Sequence, residues 1–242
     1  MAQGTLYLVP TGLGAVDPGT FLPAATLRAV RGIDYFIAEN AKTARAYLKA
    51  LAHPKPLQAL TIEVLDEHTP ASRIGALLQP LRDGRDAGLL SEAGCPAVAD
   101  PGALLVRAVH ASGLKVVPLV GPSALLLAVM ASGMNGQRFA FHGYLPVERG
   151  ARERRIAELE AESVKRDVTQ LFIEAPYRNQ ALFDAIVRTC KPDTLLSLAT
   201  DLTLPAECVH TRAIAAWKGD RPRLERRPTV FLLYREGTAS ER

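Results

Sequence analysis

AGLLSEAGCPAVADPGALLVRAVHASGLKVVPL, residues 87–119, decides the fold. It opens on a short apolar run at residues 87–91, which predicts a strand. It then passes through a connection crowded with Gly, Ala and Pro. Asp100 can cap a helix that Pro101 opens, because proline is preformed for the first helical position. Leu104, Leu105, Ala108 and Val109 give that helix one apolar face, and Gly113 closes it. A second apolar run follows at residues 115–119. Strand, helix and strand at this spacing make a crossover unit, which needs a parallel sheet.

The same alternation runs upstream. Residues 6–9, 35–38 and 60–65 read as strands. Residues 22–30, 41–50 and 72–81 read as helices, the first ending at Gly32. The first half is therefore expected to be a mainly parallel sheet with helices on both faces. Downstream the pattern changes. The helix at residues 124–131 is apolar all round and is expected to be buried. Residues 148–162 are charged on most faces and predict an exposed helix. Strands are expected at residues 139–142, 169–173, 195–199, 207–211 and 229–234, with a helix from Pro176 that Lys191-Pro192 stops. The last strands lack full helices between them, so this sheet is expected to be mixed. The fold class is α/β, with two domains at residues 1–118 and 119–242, the first a mainly parallel sheet and the second a mixed one.

Composition narrows the function classes. The 242 residues are 48% hydrophobic and 22% charged, which is ordinary for a globular chain. Only the tail from about Gly237 looks disordered. Met1-Ala2-Gln3-Gly4 runs straight into an apolar strand without a basic leader, which predicts a cytoplasmic protein. The longest apolar stretch, near residues 125–130, falls far short of the roughly 20 residues a membrane span needs, so no membrane is expected. Three scattered cysteines and five dispersed histidines make neither a disulfide framework nor a metal site, and no metal is expected. A net charge of +4 leans weakly toward polyanionic partners. There is no GxGxxG, GxxxxGK[ST] or GxSxG, which argues against a dinucleotide fold, a P-loop and a hydrolase elbow.

In open α/β sheets ligands bind beyond the carboxyl ends of the strands. Here those ends read Thr11-Gly12-Leu13-Gly14, Glu39-Asn40, Ser91-Glu92-Ala93-Gly94-Cys95-Pro96, Gly121-Pro122-Ser123, Glu174-Ala175-Pro176 and Thr200-Asp201. Small residues let a ligand approach the backbone. Glu92 stands out, because its surroundings are too rich in Gly, Ala and Pro for a routine connection.

LYLVPTGLG at residues 6–14, SEAGCPAVADPG at 91–102, VVPLVGPSA at 116–124, FAFHGYLP at 139–146 and LFIEAPYRN at 171–179 resemble, in order, the tetrapyrrole methylase superfamily. More narrowly they are similar to its ribosomal RNA small-subunit methyltransferase I branch. The resemblance implies S-adenosylmethionine (SAM) as methyl donor without a metal, a homodimer, and an active site in the cleft between two αβα domains. It implies donor contacts from Leu13, Glu92, Ala93, Gly94, Cys95, Ser123, Ala124, Ile173, Ala199 and Pro228. Methyl transfer is an in-line displacement in which positioning supplies most of the catalysis. A hydroxyl acceptor would also use a base, for which Glu39, Glu174 and His142 are the candidates. The sequence departs from the branch at two blocks expected to face the acceptor: Glu39-Asn40-Ala41-Lys42-Thr43-Ala44-Arg45 stands for EDTRxT, and Ala199-Thr200-Asp201-Leu202-Thr203-Leu204 stands for ARELTK.

Three functions stay open at this point: a methyltransferase on small-subunit ribosomal RNA at a ribose 2′-hydroxyl, a methyltransferase on a tetrapyrrole or other small molecule, and a SAM- or RNA-binding relative without turnover. Single residues also have plainer readings. Cys95 is either a reactive thiol or a packing residue. His142 is either a base or a structural hydrogen-bonder. Arg149, Arg152, Arg154 and Arg155 either grip phosphates or pair with the interleaved glutamates. The basic tract at residues 218–227 either touches RNA or does not, and Trp217 before it reads as a packing anchor.

Overall fold

The computed structural model describes residues 3–237. The expected disordered tail falls mostly outside them. The chain separates into two compact units, one ending at Ser123 and the other starting at Ala124.

The first unit runs β1 (Thr5–Val9), α1 (Ala24–Arg31), β2 (Tyr35–Ala38), α2 (Ala41–Ala50), β3 (Thr61–Val64), α3 (Ile74–Arg82), β4 (Ala87–Leu90), α4 (Gly102–Ala111) and β5 (Lys115–Pro118). The sheet order is β3-β2-β4-β1-β5 and every pairing is parallel. All four residues of β2 and of β4 are buried, as expected for parallel strands covered on both faces. Alternation divides their side chains. Tyr35, Ile37 and Leu89 pack with Leu77 and Leu81 of α3 and with Leu105 and Val109 of α4. Phe36, Ala38 and Leu90 pack with Val30 of α1 and Leu48 of α2. Helices therefore leave β1 and β2 toward one face, and β3 and β4 toward the other.

The second unit runs α5 (Ala124–Ser132), β6 (Phe139–Tyr144), α6 (Arg149–Arg166), β7 (Thr169–Ile173), α7 (Asn179–Thr189), β8 (Leu195–Thr200), β9 (Cys208–Ala213), α8 (Ile214–Trp217) and β10 (Thr229–Tyr234). The order is β6-β7-β10-β8-β9, with β6 parallel to β7 and the other pairings antiparallel, so the sheet is mixed. Its core joins Phe172, Leu196, Leu198 and Phe231 to Ile156 and Leu159 of α6 and to Leu182 and Phe183 of α7. Trp217 is the anchor the sequence predicted. It is 2% exposed, meets Phe183 edge-on at 5.7 Å, and donates Nε1–H to the Leu196 carbonyl at 3.0 Å.

Three expectations need correction. α5 is not buried all round: Ala128 and Val129 pack inward, while Leu126 and Met130 are 53% and 78% exposed. It packs against β8, β9 and β10 on one side only, and a helix apolar on every side carries no signal of which side that will be. α6 is not simply exposed. Ile156, Leu159 and Ser163, three to four residues apart, bury one stripe, with Val164 beside it. Glu160 is buried with them and accepts hydrogen bonds from the Lys191 N–H and the Thr194 hydroxyl. The cap of α4 is Pro101 and not Asp100, whose Oδ1 accepts the N–H groups of Ala97 and Gly102, each at 2.8 Å, in the loop before the helix.

Candidate functional site

The connections leaving the neighbouring strands β4 and β1 go to opposite faces of the first sheet. The strand ends there part and leave a crevice, the usual ligand position in such sheets. A pocket occupies it, lined by Thr11, Leu13, Thr43, Tyr47, Ser91 and Glu92, with Gly12, Gly14 and Ala93 among its other walls. Leu13, Glu92 and Ala93 are thus brought together. Gly94 and Cys95 continue the same loop.

Local chemistry shapes this rim. The Thr11 N–H and the Ser91 hydroxyl both donate to the Gly94 carbonyl, at 2.9 and 3.0 Å, which ties the β1 end to the β4 end. Gly94 has φ +72°, and Ala97 and Ala99 follow at +65° and +60°. Left-handed backbone is costly for alanine and concentrates at functional loops. Cys95 is half-buried with its Sγ 3.4 Å from the Pro122 carbonyl, and burial pushes its thiol up. That contact also sets Cys95 against the loop that ends in Ser123. A Cβ on Gly121 of this loop would lie 2.2 Å from the Pro10 ring. Gly121→Ala is therefore expected to destabilise the protein by about 1–3 kcal/mol through overpacking; urea unfolding measures it, and a neutral result would mean that the loop moves freely.

Asn40 caps α2 by accepting from the Lys42 and Thr43 N–H groups. The first turn of α2 then points the Thr43 hydroxyl at Glu92, donating to Oε1 at 2.6 Å. Tyr47 donates to the Pro10 carbonyl at 2.7 Å. The Thr11 hydroxyl is buried and has no hydrogen-bond partner among the described residues. A buried polar group without a partner is costly, and this one borders the pocket. The sequence places Thr43 only within a block expected to face the acceptor and does not single out Tyr47. The Asn40 cap is the sequence signal that places Thr43 at the helix start.

Glu39 is half-buried beside the same rim. Burial, followed by the charges of Asp100 and Glu92, holds its carboxyl above the usual range. A carboxylate whose folded pKa is raised costs stability at pH above that value, and the cost vanishes as the group protonates at lower pH. Glu39→Gln is therefore expected to raise the melting temperature at pH 8 and to leave it nearly unchanged at pH 4. An equal shift at both pH values would mean that the charge is not what matters.

The second unit collects another group at one end of its sheet. Ile173 and Ala199 flank Val230 on adjacent strands, and Pro228 precedes β10 and accepts the Asp201 N–H at 2.9 Å. Asp201 and Thr203 both have left-handed backbone there, and Ala124 opens α5. Glu174 ends β7 with a fully buried carboxylate. Its Oε1 accepts from Arg178 at 2.6 Å and from the Ala175 N–H at 2.7 Å. Both donors meet the same oxygen, which makes Glu174 part of an ion pair with Arg178. His142 is not gathered with these strand-end groups. On the edge strand β6, its Nε2 meets Gln170 Oε1 at 2.5 Å and its Nδ1 faces Arg155 at 3.5 Å. Among the described residues no three His, Cys, Asp or Glu side chains are arranged to hold a metal, and no helix is long and apolar enough to cross a membrane.

A profile of the tetrapyrrole (corrin/porphyrin) methylases matches residues 5–215. The chain belongs to the tetrapyrrole methylase family. This family is one of SAM-dependent methyltransferases. The methylase is 31% identical over 209 residues to the ribosomal RNA small subunit methyltransferase I of Escherichia coli O157:H7, covering 86% of this chain and 69% of that one. It is 38% identical over 175 residues to the protein of the same name from Xylella fastidiosa, covering 72% and 60%. The methylase thus spans about three-fifths to seven-tenths of the length of these relatives. Among solved structures, the methyltransferase CobJ matches its fold with a TM-score of 0.62 at 16% identity, over 97% of this chain and 94% of that one.

The groups present suit the donor. SAM carries an apolar adenine, a cationic sulfonium and a polar amino-acid end. The pocket offers apolar Leu13 and Leu90, the Glu92 carboxylate and a hydroxyl at Thr11 in need of a partner.

Proposed function

We propose that this methylase transfers the methyl group of SAM to small-subunit ribosomal RNA at a ribose 2′-hydroxyl. The observation that carries the reading is the pocket at the β1–β4 crevice, with Glu92 held by Thr43 and the Thr11 hydroxyl waiting for a partner, in a chain whose relatives are named for small-subunit ribosomal RNA. When bound, SAM supplies the electrophilic methyl.

The chain's own residues would do the rest. Leu13, Ala93, Gly94 and Cys95 form the close wall, and Glu92 balances the donor's positive charge. Ser123, Ala124, Ile173, Ala199 and Pro228 complete the proposed donor contacts. Glu39 is the favoured base, since its raised pKa brings it nearer to neutral pH than an ordinary carboxylate. Glu174 positions Arg178. We also propose that the protein acts in the cytoplasm as a homodimer, for which sedimentation would give twice the chain mass.

The test is transfer of labelled methyl from SAM to undermethylated small-subunit particles. Label in ribosomal RNA at a ribose supports the reading. Label on a base, or no label while SAM binds, would move the acceptor to another class.

A further inference from the structure

Two basic segments look alike in the sequence, and their ion pairs separate them. In α6, Arg149 pairs with Glu153 and Arg155 with Glu158 and Glu162, and Arg152 is buried, which leaves Arg154 as the one exposed arginine of the four without an ion pair among the described residues. Residues 218–227 behave differently. Arg221 pairs with Asp184 at 3.5 Å and Arg227 with Asp201 at 2.7 Å. Lys218, Arg223 and Arg226 are exposed and make no ion pair among the described residues. Only Glu225 offsets them within the tract, since Asp220 pairs with Arg212.

The tract is fixed against a second feature. Pro176–Arg178 forms a single 3-10 turn that holds Tyr177 71% exposed. The Arg226 N–H donates to the Pro176 carbonyl at 3.1 Å, the Leu224 N–H to Gln180 Oε1 at 3.3 Å, and Asn179 Nδ2 to the Arg227 carbonyl at 2.6 Å. Buried Leu224 anchors the loop. Arg178 lies 5.2 Å from the Tyr177 ring centre, with its charge already engaged by Glu174. An exposed aromatic ring is thus tied by hydrogen bonds to the loop that carries Arg223 and Arg226, with Lys218 earlier in the same tract, next to the strand ends that carry Ile173 and Pro228.

We propose that this face docks single-stranded RNA, with an unpaired base stacked on Tyr177 and the flanking phosphates held by Lys218, Arg223 and Arg226. Stacking requires an unstacked base, which favours a single strand over a duplex. The proposal rests on the RNA reading above and assigns that acceptor a surface on the second unit.

Fluorescence anisotropy of the whole protein with a labelled, unstructured RNA of about 12 nucleotides, within the usual range of site sizes, tests it across a salt series. Tyr177→Ala is expected to weaken binding about tenfold, and Tyr177→Phe to retain it. The double variant Arg223→Ala/Arg226→Ala is expected to weaken binding and to lower the logarithmic salt slope by about 1.4, or roughly 0.7 per phosphate contact. SAM binding by calorimetry should be unchanged in all of them, which shows that they fold. If the parent binds RNA and the variants bind it equally tightly, this surface is wrong while the RNA reading stands. If the parent binds SAM but no RNA, both fall. Binding of polyglutamate in place of RNA would also overturn the proposal and assign the face to an acidic protein partner.

Discussion

Trp217→Ala is expected to destabilise the second unit by about 3–5 kcal/mol, the usual cost of removing a large buried aromatic. Three losses coincide. The indole leaves a cavity against Phe183, the Leu196 carbonyl loses its donor, and Arg212, whose guanidinium lies 4.8 Å from the ring centre, loses its aromatic surface. Urea unfolding followed by circular dichroism measures the effect, and the first unit should unfold as it does in the parent. Trp217→Phe should recover part of the loss but not the hydrogen bond. A loss below about 1 kcal/mol for the alanine variant would mean that the site collapses around the gap, contrary to the packing described.

Glu92→Ala is expected to weaken SAM binding about 10- to 100-fold, in line with the loss of one charge-assisted contact. The side chain is exposed and its described hydrogen bond is to Thr43, so the fold should survive. Thr43→Ala should have a smaller effect, because it frees the carboxylate without removing it. Unchanged SAM affinity in the Glu92 variant would displace the donor from the β1–β4 crevice.

Much of the architecture was legible because local chemistry and tertiary context agree. β2, β7 and β10 lie where apolar runs sit between turn residues, at Tyr35–Ala38, Thr169–Ile173 and Thr229–Tyr234. α2 follows Asn40, a strong cap, and spans the predicted residues. Legibility failed where a helix had no contrast between its faces, or too much charge to see past. α5 is apolar everywhere, so its outward Leu126 and Met130 left no pattern. The stripe of Ile156 and Leu159 in α6 was masked by the arginines and glutamates around it.

The site divides along the same line. Glu92 could be picked out because it ends a strand within an unusual loop. Tyr47 could not, since it reads as one more apolar residue of α2 until its hydroxyl is seen on the Pro10 carbonyl. Glu174 stands among the three base candidates, and the structure adds its ion pair with Arg178 four residues later. Sequence spacing shows that two residues can meet, and only the turn at Pro176–Arg178 shows that they do.

The most direct test of the central claim is calorimetric titration of the unmodified protein with SAM and with S-adenosylhomocysteine. The pocket at the β1–β4 crevice predicts micromolar binding of both, abolished or strongly weakened by Glu92→Ala. A folded protein that binds neither would contradict the assignment of that crevice as a methyl-donor site.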